Sequence, residues 1–94
     1  MSQYYSDQQQ QSGVARHRHV AITGAANNGV GLIRLTAQAH GFSTGNVVDV
    51  GNVLGTVEAN RTGWTITVID ANTIDLQGSV FTHAYVSGGN VSIQ

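Results

Sequence analysis

Between Trp64 and Leu76 the chain alternates: Trp64, Ile66 and Val68 fall on one side of an extended backbone and Thr65 and Thr67 on the other. That is the period of two of a half-buried strand. The pattern breaks at Asp70, Ala71, Asn72 and Thr73, where an Asp side chain can bond the backbone two residues on and an Asn tolerates positive φ. It resumes at Ile74 and Leu76, which flank an Asp75 that the period sends outward. Two strands joined by such a turn form a hairpin. An isolated hairpin is marginal in water, so further strands must cover its apolar face. Trp64 belongs at the centre of the resulting core, with Phe42, Phe81 and Tyr85 as the other aromatic anchors.

The rest of the chain supplies those strands. Val20 and Ile22 alternate with Ala21 and Thr23, and a Gly- and Asn-rich stretch, residues 24–31, reads as a flexible hairpin tip. Residues 32–36 and 46–50 read as the second and third strands, residues 80–86 as a weaker segment, and Val91 and Ile93 as a short closing strand after a turn at residues 87–90. Helical periodicity is nearly absent. The expected fold is all-β: one small barrel or sandwich of about six short strands over residues 20–94. At 94 residues there is room for one domain, which hides only about 60 to 65% of its unfolded surface.

Residues 1–19 have a different character. Tyr4 and Tyr5 precede the glutamine run 8–11, and Arg16, His17, Arg18 and His19 close the segment. Polar amide tracts bury too little apolar area to offset ordering entropy, so this stretch reads as an extended N-terminal arm without its own core. It lacks the apolar centre of a secretory signal. Tyr4 and Tyr5 offer large contact area at low entropic cost, and the basic run suits an acidic neighbouring surface. These six residues, Tyr4, Tyr5, Arg16, His17, Arg18 and His19, are the expected partner contacts. In an extended arm His17 and His19 project to one side, but two imidazoles do not close a metal site, and no metal or other cofactor is expected.

Composition narrows the function. The four Arg stand against five Asp and Glu for a net charge of −1, and Lys and Cys are both missing. Without Cys there is no disulfide framework, thiolate nucleophile or cysteine metal site; without Lys there is no Schiff-base amine and no P-loop. Residues 20–94 hold Arg34 and Arg61 against Asp49, Glu58, Asp70 and Asp75, a balance that repels a phosphate backbone. Nucleic acid is therefore not an expected partner, even with Trp64 or Tyr85 available for base stacking. No run nears the 18 or so apolar residues of a helical membrane span, so a soluble protein without membrane partners is expected. Ten per cent charged residues, against roughly 25% in ordinary soluble domains, fits a surface largely covered by partners, or one that persists outside cells in variable salt, where ion pairs are screened.

Three stretches carry a resemblance. His40, Gly41, Phe42, Ser43, Thr44, Gly45, Asn46, Val47 and Val48 look like the "HGLxTGDxV" segment of a small β module found in tailed-bacteriophage and prophage virion proteins. The hairpin from Trp64 to Leu76 and the closing Tyr85, Val86, Ser87, Gly88 and Gly89 fit it as well. The module is in turn similar to the β-barrel subdomain of ubiquitin-activating enzymes, the first half of their catalytic-cysteine region. The likeness spans about residues 20–92 and rests on turn and core positions, which identify a fold better than a task. Asn46 stands where the pattern has Asp, keeping the turn and removing a charge. Ubiquitin-transfer chemistry is impossible without a Cys. The resemblance implies an accessory virion subunit, most concretely a capsid decoration or cement protein. Its expected partners are the major capsid or other virion proteins, and copies of itself, a trimer being favoured. A head or tail fibre or spike module touching host glycans through residues 24–31 and 52–63 is the alternative.

Enzymatic constellations are not expected. His40 could be paired with Asp49 as a base, and Ser43 or Thr44 cast as a nucleophile. A His before Gly in a turn is better read as capping backbone carbonyls or packing against Phe42. The acids Asp49, Glu58, Asp70 and Asp75 are spread one per turn or strand, without the paired carboxylates of glycoside hydrolysis.

Overall fold

The structure, a computed structural model, describes residues 19–94. Seven strands, β1 (His19–Ala21), β2 (Gly24–Asn27), β3 (Ile33–Thr36), β4 (Val47–Gly51), β5 (Arg61–Asp70), β6 (Thr73–Leu76) and β7 (Asn90–Ile93), are joined by loops and one 3-10 turn, Val57–Ala59. All pairings are antiparallel, in the order β1-β7-β4-β5-β6-β3-β2. The all-β expectation holds, and the sheet is curled into a half-barrel.

Two features make the curl. β5 is ten residues long and serves both halves, pairing with β4 through its first part and with β6 through its second. The register shifts on both sides, between Val48 and Val50 and between Val68 and Asp70, and such irregularities bend and twist a strand. At the opposite corner the two edge strands, β1 and β2, are separated by only Ile22 and Thr23. The Ile22 N–H donates to the Gly89 carbonyl at 2.9 Å and the Thr23 N–H to the Thr36 carbonyl at 2.9 Å. One extended stretch thus leaves β7 and joins β3 without a loop. Edges of three and four residues are short enough to blunt strand-to-strand aggregation.

The inner face carries the core: Ile33 and Leu35 of β3, Val48 and Val50 of β4, Trp64 and Ile66 of β5, Ile74 and Leu76 of β6 and Val91 of β7 are buried, with Ile22, Phe42, Val53 and Ala59 from the loops. Trp64 is central as expected, and its indole N–H donates to the Ala59 carbonyl at 2.9 Å. Phe42 is buried with it, whereas Phe81 and Tyr85 pack from the rim.

Two local readings are corrected. Gly24–Asn27, expected as part of a flexible loop, is strand β2, paired with β3 in register Gly24 to Thr36; the loop proper is residues 28–32. Residues 80–86 form no strand; the nearest β-pairing is an isolated bridge between Leu54 and Ser87, just beyond the stretch. Asp75 faces outward as expected, yet it is only 6% exposed, for a reason that lies in the site.

Candidate interaction surface

Most of the exposed large apolar side chains sit on three connected loops. These are residues 28–32, residues 52–60 and the long segment 77–89 that runs from β6 to β7. Segment 77–89 is held along its length by hydrogen bonds, some from its own side chains and some from other loops. Ser79 Oγ accepts the Ile33 N–H at 2.9 Å and donates to the Leu76 carbonyl. The Phe81 N–H donates to the Gly31 carbonyl at 2.8 Å. Glu58, in the 3-10 turn, accepts the N–H groups of Thr82 and His83 at 2.6 and 2.9 Å and lies 3.0 Å from His83 Nδ1. Thr56 Oγ1 donates to the His83 carbonyl at 2.8 Å. The Tyr85 hydroxyl lies within hydrogen-bond reach of the carbonyls of Gly88 (2.9 Å) and Ile22 (3.2 Å).

Residues 52–60 are equally constrained. Asn60 makes a reciprocal pair with Val53, accepting its N–H and donating to its carbonyl, each at 2.9 Å. Gly55 has φ 90°, and a methyl group there would overlap the Ala84 carbonyl and the Val86 nitrogen, so the two loops touch backbone to backbone. With their polar backbone groups turned toward each other, the loops present Leu54, Val57, Val80 and Val86 to solvent. Val30, at 82% exposure, does the same on the loop that Phe81 joins. Apolar side chains held out by a pinned backbone cannot withdraw into the core; clustered exposed apolar residues mark interaction sites, and loops on a fixed scaffold are where such sites are built.

Charge across this surface is low and internally satisfied. Burial pushes the Glu58 carboxyl up, but the two backbone N–H donors and the His83 ring outweigh it and bring the group down to about 2. On the outer side of the sheet, Asp75 is covered by Arg34, with Nε to Oδ1 2.7 Å and Nη2 to Oδ2 3.1 Å, and by the Asn28 amide at 2.9 Å. Burial raises the Asp75 carboxyl, and the Arg34 and Asn28 hydrogen bonds more than reverse this, leaving it below the usual carboxylate range. The Asp70 carboxylate is lowered by the Thr73 hydroxyl and the Asn72 N–H in the turn between β5 and β6, the capped turn that the sequence predicts.

His40, Asp49 and Thr44 each hold backbone groups in place. The Phe42 N–H donates to His40 Nδ1 at 2.9 Å, so the proton on this buried ring is on Nε2, which donates to the Asp70 carbonyl at 2.8 Å. The ring stacks on Phe42 with centroids 5.3 Å apart. His40 is thus a turn cap packed on Phe42, as expected. Asp49 is bound instead by the Gly63 N–H and Gln94 Nε2, and Thr44 Oγ1 accepts the Val68 N–H. Trp64 is 3% exposed, with the Arg61 guanidinium 3.9 Å over its ring, so it offers no face for base stacking. Among the described residues no three His, Cys, Asp or Glu side chains converge as metal ligands.

Of the six expected partner contacts, Tyr4, Tyr5, Arg16, His17 and Arg18 lie outside the described residues. His19 is the first residue of β1, exposed and in register with Ser92. Sequence reasoning missed the contribution of Leu54, Val57, Val80 and Val86. A lone apolar residue in a Gly-rich stretch reads as core; only Glu58 and Thr56 reaching across to residues 82–83 turn these side chains out. No protein-family model and no curated protein sequence matches this chain.

Proposed function

We propose that this chain is a non-enzymatic structural subunit of a tailed bacteriophage or phage-like particle, a capsid decoration or cement protein. The half-barrel rests on the assembled shell, as a trimer, and Tyr4, Tyr5, Arg16, His17, Arg18 and His19 of the arm reach neighbouring subunits. The observation that carries the reading is the pinned loop surface exposing Val30, Leu54, Val57, Val80 and Val86 on a chain with few charges, a surface better suited to being covered than to facing water. The likeness to the virion β module supplies the kind of assembly. Each contact exists only in the lattice, so it adds to the work needed to open it.

The test is occupancy on purified particles. Deleting residues 2–18 should leave a folded half-barrel that no longer binds; occupancy equal to the parent's would overturn the arm's part. A subunit located in an electron-microscopy map of the particle, with its loop surface against a neighbour, is the expected result.

A fibre or spike module contacting host glycans is the second reading. It is favoured by one observation, the way segment 77–89 ties residues 28–32 and 52–60 into one continuous surface. Binding of the isolated protein to host cells, with none to particles lacking it, would select this reading over cementing.

A further inference from the structure

Asn28 is the one asparagine followed by glycine; the others precede Asn, Val, Arg or Thr. A glycine on the C-terminal side leaves the next backbone nitrogen unshielded. Gly29 is exposed, has φ 103° and has no atom near the place a Cβ would occupy. An asparagine in that setting can cyclise on itself. The Gly29 nitrogen attacks Asn28 Cγ, a new C–N bond forms as the Cγ–Nδ2 bond breaks, and the amide proton leaves with the nitrogen as ammonia. Water then opens the ring at either carbonyl, giving aspartate or isoaspartate. Only water is consumed.

The fold holds both reacting groups away from this path. The Gly29 N–H is engaged by Asn27 Oδ1 at 2.8 Å, which also takes the Gly31 N–H at 3.0 Å. Asn28 Oδ1 accepts the N–H groups of Val30 and Leu32 at 2.9 and 3.1 Å, and Nδ2 donates to Asp75 Oδ2 at 2.9 Å. Cyclisation requires all of these to open together.

We propose that Asn28 is a covalent self-modification site whose reaction is gated by opening of the loop between β2 and β3, and whose product releases that loop. The product carboxylate has no N–H to give Asp75 and sets a second negative charge beside a buried one, with only Arg34 to balance the pair. In the isoaspartate form an extra backbone methylene also breaks the turn closed by the Asn28 N–H on the Leu32 carbonyl at 3.0 Å. The Gly31 carbonyl that anchors Phe81 lies in the same loop, so release reaches segment 77–89. This inference stands apart from the proposed function.

The experiment is peptide mapping by mass spectrometry of the full chain, incubated at neutral pH folded and in urea. Conversion at Asn28 should exceed that at Asn46 and Asn72, and should be at least about tenfold slower folded than in urea, as expected when local opening gates a reaction. Asn27→Ala, which frees the Gly29 N–H while keeping the Asn28 bond to Asp75, should convert several-fold faster than the parent. Converted protein separated by ion exchange should melt at lower temperature than unconverted protein from the same sample, a comparison that needs no variant to fold. Equal rates folded and in urea, no preference for Asn28, or an unchanged melt of the converted fraction would each overturn the proposal.

Discussion

Arg34 and Asp75 face each other across β3 and β6, in register, and close a two-pronged ion pair on the outer side of the sheet. Asp75 is nearly covered while Arg34 keeps about a third of its side chain in water. The pair is therefore asymmetric: removing the arginine strands a buried carboxylate, whereas removing both leaves only the half-buried Asn28 amide without its acceptor.

Arg34→Met is expected to destabilise the domain by about 2 to 3 kcal/mol, just below the range for a fully buried pair because Arg34 is partly solvated. The double variant Arg34→Met with Asp75→Leu should recover a large part of that loss. Urea unfolding of the parent, the single and the double variant measures it. A double variant less stable than the single one would mean that the ion pair, and not the relief of a stranded charge, sets the energetics here.

The Trp64 side chain fills the middle of the core and ties the 3-10 turn to β5 through Ala59. Trp64→Ala should cost about 3 to 5 kcal/mol through the cavity it leaves. Trp64→Phe keeps much of the volume but orphans the Ala59 carbonyl, and should cost about 1 to 3 kcal/mol. Circular dichroism melts place both, and an alanine variant as stable as the parent would remove Trp64 from the core.

His40 serves two backbone groups at once, so His40→Leu should cost about 2 to 3 kcal/mol by leaving the buried Phe42 N–H and the part-buried Asp70 carbonyl unpaired. Amide exchange at Phe42 should rise with it. Unchanged protection at Phe42 would show that the imidazole is not that amide's partner.

Sequence made some of this legible and hid the rest for identifiable reasons. Trp64 to Leu76 read correctly because alternation and turn chemistry are local, and His40 because a turn histidine beside Phe42 has few other uses. The burial of the outward Asp75 was hidden because alternation names a face but not what lies on it. Arg34 is 41 residues away in the chain, and only the β3–β6 register brings it over the carboxylate. β2 was invisible because Gly24, Ala25 and Ala26 have little strand preference; pairing with β3 imposes the conformation, as tertiary context often does for strands. Residues 80–86 erred the other way, since Val80, Phe81, Tyr85 and Val86 look like a strand until Glu58 and Thr56 claim the backbone of Thr82 and His83.

Gly55 tests how tightly the two loops are locked. Gly55→Ala meets both an unfavourable φ and the backbone of Ala84 and Val86, so it should cost about 2 to 4 kcal/mol. Gly45→Ala has a similar φ of 94° but open space around it, and should cost only about 1 kcal/mol. Thermal melts of both variants decide it: equal losses would mean that backbone conformation alone is at stake and that the loops have room to part.

The same lock has a pH dependence whose sign follows from Glu58. Its carboxyl sits at about 2 in the folded protein against an ordinary value of 4.5, so the unfolded chain takes up the proton first. Glu58 therefore contributes its full stabilisation above about pH 4.5, and this is lost as pH falls toward 2. With some solvent at the carboxylate, the amount at stake is about 2 to 3 kcal/mol. Asp70 and Asp75, also lowered, add slope of the same sign. Glu58→Gln removes the ionisable group and should flatten the stability profile between pH 4.5 and 2 relative to the parent, while lowering stability near neutrality. Chemical unfolding at a series of pH values reads this directly. Identical slopes for parent and variant would show that Glu58 does not hold Thr82 and His83 in its ionised form, and the pinned surface carrying Leu54, Val57 and Val86 would lose its main fastening.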